Sequence, residues 1–164
     1  MTANDTLANA MPANDLELVI SLLLDAPREK IFRCWTDAEL LKQWFAPKPW
    51  TTPRATMDVR PGGASLIVMR SPEGQEMPNV GQYLEVIPNR KLVFSDAFVG
   101  EWVPKDGAPF FTGEITLSDE GGKTRYIARA RHWTKENAEQ HAAMGFLEGW
   151  KACALQLEAL AKTI

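Results

Sequence analysis

The stretch APREKIFRCWTDAELLKQWF, residues 26–45, decides the fold prediction because it encodes two short helices with a sharp break between them. Pro27 suits the first turn of a helix, where its missing N–H costs nothing. Ile31 and Trp35 lie four residues apart and therefore share one helix face. The first helix is accordingly predicted to begin at Pro27 and to end near Trp35.

The break is indicated by Thr36, which is followed three residues later by Glu39 in the pattern of a capping box. A second helix is therefore predicted to start at Asp37, and Pro47 and Pro49 stop it. Each helix is too short to be stable alone in water, so each must pack against another part of the fold.

The tryptophans of residues 32–50 could form a stacking surface for sugars or nucleic acid, or they could belong to the core. Trp35 and Trp44 each share a helix face with an aliphatic residue four positions earlier. A stacking strip would instead need interleaved Lys or Arg along a groove. We therefore interpret Trp35 and Trp44 as buried anchors, whereas Trp50 follows two prolines and stays open.

Outside this stretch the hydrophobic period changes to two, which is typical of strands. Strands are predicted within residues 16–27, 55–59, 64–70, 79–87, 91–98, 110–118 and 124–133. From Thr134 to about Lys162 the pattern is that of one long helix with a single apolar stripe. The order predicts an α+β fold in one domain over residues 15–164, preceded by a mobile N-terminal tail over residues 1–14.

Composition narrows the function classes. The chain has 164 residues and a net charge of −3, and it holds no long basic run, so nucleic acid is not expected as a partner. No apolar run approaches the roughly 20 residues that span a bilayer. The N-terminus lacks the cationic start and apolar stretch of a secretory signal, so a cytoplasmic location is expected. Cys34 and Cys153 are interpreted as free thiols.

The order of elements and a set of motifs resemble the START-like superfamily, also called SRPBCC or birch-pollen-allergen-like. Within it the sequence is similar to homologues of the C-terminal domain of the heat shock protein 90 ATPase activator. The matching motifs are APREKIF-CW-TDAELLKQWF (26–45), D-RPGG (58–63), G-YLEVIPNRKLVF (81–94) and GFLEGW---L--L (145–160).

The resemblance implies a helix-grip fold, in which a curved antiparallel sheet of about seven strands wraps around a long C-terminal helix. It also implies a cavity between sheet and helix, where many members bind small ligands. At the Ser65 position the family usually has an aromatic residue, so the serine is expected to leave extra room. The Gly- and Pro-rich loop over residues 99–109, flanked by aromatic residues, suits a lid over this cavity.

Strand alternation and this loop select the side chains that are expected to face the cavity. The candidate ligand-binding residues are Ser65, Ile67, Met69, Phe94, Asp96, Phe98, Trp102, Phe111, Tyr126, His132, His141, Met144 and Glu148. The chain has two histidines and no HExxH motif, so no metal is expected. No cofactor is expected either.

The function that this cavity implies is binding of a small hydrophobic molecule such as a lipid, a polyketide or an aromatic compound, with a role in stress as a further expectation. An enzyme of the polyketide cyclase or hydratase kind is an alternative, with His132, His141, Asp96 and Glu148 as the acid or base candidates. A co-chaperone-type interaction protein is another alternative. A homodimer formed through an exposed strand edge is a further expectation.

Overall fold

The computed structural model describes residues 14–164. The predicted mobile tail over residues 1–14 lies outside these residues, except for Asn14. The side chain of Asn14 accepts a hydrogen bond from the backbone amide of Leu16 at 2.7 Å.

Seven strands form one antiparallel sheet that curves around the C-terminal helix, which confirms the predicted helix-grip fold. The strands are β1 Glu17–Leu24, β2 Thr51–Met57, β3 Ala64–Arg70, β4 Glu76–Ile87, β5 Lys91–Ser95, β6 Phe111–Glu120 and β7 Lys123–His132. Their order across the sheet is β1-β7-β6-β5-β4-β3-β2, so the first and last strands of the chain are neighbours.

The described residues also form four helices. They are α1 Arg28–Thr36, α2 Ala38–Leu41, α3 Lys135–Ala143 and α4 Phe146–Ala161. None of them is both long and apolar enough to cross a lipid bilayer.

The two faces of β7 differ as the alternation of its residues predicts. Tyr126, Ala128 and Ala130 are buried in the hydrophobic core. Arg129 and Arg131 lie on the opposite face, where Arg131 Nε contacts a Glu17 carboxylate oxygen at 2.8 Å. The arginines therefore belong to a charged outer surface and take no part in the core.

The break between α1 and α2 is where it was predicted, but its cap is one residue further along. Asp37 is the N-cap, and its carboxylate accepts from the backbone amides of Glu39 at 2.9 Å and Leu40 at 3.1 Å. The Thr36 hydroxyl instead donates to the Phe32 carbonyl at 2.9 Å, within α1. The predicted Thr36 cap is wrong because its hydroxyl already closes the last turn of the preceding helix.

Trp35 and Trp44 are buried, as predicted, and each indole N–H has a partner inside the protein. Trp35 Nε1 donates to the Tyr126 hydroxyl at 3.2 Å, which joins α1 to β7. Trp44 Nε1 donates to the Cys34 carbonyl at 3.0 Å. The two rings meet edge to face with centroids 4.8 Å apart, so they hold α1 against the turn that follows α2.

The predicted single helix over residues 134–162 is wrong, because the segment is divided into α3 and α4. Thr134 caps α3 as expected and accepts from the Asn137 amide at 3.1 Å. Gly145 then adopts φ 93°, a left-handed conformation that ends one helix and begins the next. The chain thereby changes direction, and α3 lies over the end of β7.

The glycines at 145 and 149 should respond to alanine in opposite directions. Gly145→Ala places a side chain at positive φ and is expected to destabilise the fold by about 1–2 kcal/mol. A Cβ at Gly149 would meet nothing within 4 Å. Gly149→Ala should therefore stabilise the fold by about 0.5–1 kcal/mol through helix propensity. Urea unfolding measures both effects. A shift of the unfolding midpoint in the same direction for both variants would contradict this prediction.

Candidate functional site

Two adjoining pockets lie between the concave face of the sheet and the helices. The strand pocket has a volume of about 430 Å³ and is bounded by β3, β4 and β5. The helix pocket has a volume of about 360 Å³ and reaches α3 and α4. The residues that line both pockets are Trp35, Phe45, Asn79, Phe94, Phe110 and Phe111.

Most of the predicted site residues lie on the pocket walls. The four strands β3, β5, β6 and β7 place six of them there, since alternate residues of a strand face the same side of the sheet. The predicted residues that line one pocket or both are Ser65, Ile67, Met69, Phe94, Asp96, Phe111, Tyr126, His141 and Met144.

The other predicted residues lie off the walls. Phe98 and Trp102 contact each other with ring centroids 5.4 Å apart, and the Trp102 amide donates to Gln82 Oε1 at 2.8 Å. Gln82 lines the strand pocket, whereas Trp102 itself does not. Glu148 is exposed on α4.

Asp96 lines the strand pocket, but its carboxylate is already occupied by the protein. It accepts from the backbone amides of Phe110 at 2.9 Å and Phe111 at 3.2 Å. Lys105 Nζ lies 3.3 Å from the same carboxylate. Asp96 therefore positions the start of β6 and has little capacity left for a ligand.

His132 and His141 are brought together behind the wall of the helix pocket. His132 Nε2 and His141 Nδ1 are 2.8 Å apart, and both rings are buried. On its other side, His132 Nδ1 lies 2.8 Å from the backbone carbonyl oxygen of Leu16. The result is a chain of hydrogen bonds from Leu16 through both rings to the pocket wall.

The surroundings of His141 are aromatic. Its ring centroid lies 5.0 Å from Phe111, 5.2 Å from Phe110 and 5.1 Å from Phe146. Burial among these rings, with His132 adding to the effect, lowers the pKa of His141 to about 4. The imidazole of His141 is therefore neutral at physiological pH.

Cys153 on α4 lines the helix pocket but is not a reactive thiol. Burial raises its pKa to about 12, and the thiol donates to the Phe45 carbonyl at 3.2 Å. No group of three or more His, Cys, Asp and Glu residues within 14–164 is arranged to hold a metal ion.

The sequence analysis did not predict every residue of the pocket walls. Some wall residues were given a purely structural role, and others were not named as candidates. Trp35 was interpreted as an anchor only, yet it lines both pockets. Trp150 lies in α4, Phe45 lies in the turn after α2, and Asn79 lies in β4. A helical stripe shows which residues are turned inward, but it cannot show whether the space opposite them is filled.

Comparisons with known proteins agree with this architecture. The family model described as Activator of Hsp90 ATPase homolog 1-like protein matches residues 25–162. No curated protein is similar enough to match the chain.

Solved structures match along nearly the whole chain. A crystal structure of a protein from Nitrosomonas europaea has 38% identity and a TM-score of 0.88, and the match covers 93% of this chain and 97% of that one. A Mycobacterium smegmatis protein has 24% identity and a TM-score of 0.78, over 94% and 95% of the two chains. An AHSA1-like protein from Aeromonas hydrophila has 18% identity and a TM-score of 0.69, over 90% and 93%. The last two show the fold alone, whereas the family match over most of the chain shows that it belongs to the Activator of Hsp90 ATPase homolog 1-like protein family.

Proposed function

We propose that this protein binds a small apolar or aromatic molecule in the two adjoining pockets. The observation that carries the proposal is the empty volume between sheet and helices, about 430 Å³ in one pocket and about 360 Å³ in the other. Small-molecule sites commonly measure about 300–1,000 Å³. The ligand classes expected from the sequence are a lipid, a polyketide or an aromatic compound, and small members of each class fit a site of this volume.

The composition of the walls supports an apolar ligand. Aromatic rings line the boundary between the pockets, and they offer faces and edges to a planar molecule. Met69, Met77 and Met144 line the helix pocket. Methionine side chains are flexible and polarisable, so they adapt to ligands of different shape.

Thermal unfolding of the full chain with a set of fatty acids, polyketides and polycyclic aromatics tests the proposal. A bound compound at a hundredfold excess over its Kd should stabilise the fold by about 2.7 kcal/mol. Ser65→Phe should fill the strand pocket and weaken binding there, whereas Ser65→Ala keeps the pocket open and serves as the matched control. The absence of any shift across the whole set would contradict the proposal.

An enzyme that transfers a proton is the second candidate, and the 2.8 Å contact between His132 and His141 favours it. General acid–base catalysis needs a group of suitable pKa within hydrogen-bond reach of the substrate. Mass spectrometry of a pocket ligand recovered after incubation separates this candidate from simple binding, because only an enzyme returns an altered compound.

A further inference from the structure

The hydrogen bonds around the two histidines determine which nitrogen carries each proton. The Leu16 carbonyl can only accept, so the proton between it and His132 must be on His132 Nδ1. A neutral imidazole carries one proton, which leaves His132 Nε2 with a lone pair. The bond of 2.8 Å to His141 is therefore donated by His141 Nδ1.

The same reasoning leaves His141 Nε2 as a hydrogen-bond acceptor. Among the described residues this nitrogen has no hydrogen-bond partner, and His141 lines the helix pocket. The alternative, an imidazolium at His132, would put a charge on a buried ring whose hydrogen-bond partners among the described residues are the Leu16 carbonyl and His141, neither of which is a carboxylate. Burial, with His132 as the smaller cause, lowers the pKa of His141, so this second ring is neutral at physiological pH.

The rings that surround His141 bring no charged group to it. Its ring neighbours Phe110, Phe111, Phe146 and Trp150 are aromatic. The residues that line the helix pocket include no Asp, Glu, Lys or Arg. A carboxylate would meet a lone pair there and no cation, whereas a neutral hydroxyl would find an acceptor.

From this arrangement, we propose that the helix pocket selects neutral apolar ligands that carry a hydroxyl group, which donates a hydrogen bond to His141 Nε2. The proposal rests on the proposed binding function and adds the ligand class. His132 acts as the positioning residue, because its bonds to Leu16 and His141 fix which nitrogen of the His141 ring can accept.

The test compares 2-naphthol with 2-methoxynaphthalene, which has a similar shape and no hydroxyl proton. Isothermal titration of the full chain should give about three- to tenfold tighter binding of 2-naphthol, the value of one net hydrogen bond. The preference should disappear in His141→Phe, which keeps a ring and removes the acceptor. Amide shifts of Gly145 and Gly149 in ¹⁵N spectra should report binding in the helix pocket.

A second measurement needs neither ligand nor variant. Long-range ¹H–¹⁵N spectra of the wild-type histidine rings should show the proton of each ring on Nδ1. A proton on Nε2 of His141 overturns the inference, as does equal affinity for the two naphthalenes with the binding function intact. Failure of both compounds and of the wider ligand set contradicts the binding function itself and the inference with it.

Discussion

Trp44→Ala is expected to lower the free energy of unfolding by about 3–5 kcal/mol, the range for truncating a large buried aromatic side chain. Trp44 is 2% exposed and its ring contacts Trp35, so the substitution leaves a cavity beside α1. It also removes the partner of the Cys34 carbonyl, which lies in the last turn of α1 where no helical amide can reach it. A melting temperature lower by about 2–4 °C per kcal/mol would report the loss.

Trp50→Ala is the matched control, because it truncates the same side chain in the same segment. Trp50 is only half-buried, and its ring takes part in none of the aromatic contacts among the described residues. Its loss should cost clearly less than that of Trp44. Equal losses of unfolding free energy in the two variants would show that the hydrogen bond and the burial of Trp44 do not determine its contribution to stability.

Gly63→Ala is the second substitution with a large expected effect. A Cβ at this position would lie 1.8 Å from the Asp58 carbonyl oxygen, a backbone atom that no rotamer change can move. The turn is also held to β4, since the Tyr83 amide donates to the Gly63 carbonyl at 2.9 Å. We expect a loss of at least about 3 kcal/mol, the upper end for overpacking.

Gly74→Ala separates this clash from the general cost of replacing a glycine. Gly74 has φ 91°, and a Cβ there would meet nothing within 4 Å. It should cost about 1–2 kcal/mol from the left-handed backbone alone. Urea unfolding of both variants measures the difference in the free energy of unfolding. A Gly63→Ala variant that is at least as stable as Gly74→Ala would contradict the clash.

The fold could be predicted largely because local patterns and global packing agree. β3 has the predicted bounds, and the glycine-rich turn before it is present. β4 begins at Glu76, earlier than predicted. The strand can include Pro78 because this part of β4 pairs only with β3, so one of its edges needs no backbone hydrogen bonds. The ends of elements depend on such neighbours, which a single sequence does not reveal.

The candidate site could be predicted less well, for two physical reasons. Periodicity placed Phe94, Phe111 and Tyr126 on the inner side of the sheet, and these residues do line the pockets. It could not show that His132 and His141 touch, because their distance depends on how α3 folds back after β7. Empty volume is likewise set by the whole packing arrangement.

Leu16, which precedes β1, is linked through its carbonyl oxygen and the His132 ring to His141 on the wall of the helix pocket. A protease cut or a fusion junction that displaced the Leu16 backbone would free the His132 ring to rotate or to take its other tautomer. The proton pattern of His141 would then change, although no residue of the pocket itself had been touched. When the amino terminus is engineered, the ligand preference of the helix pocket should therefore be measured again.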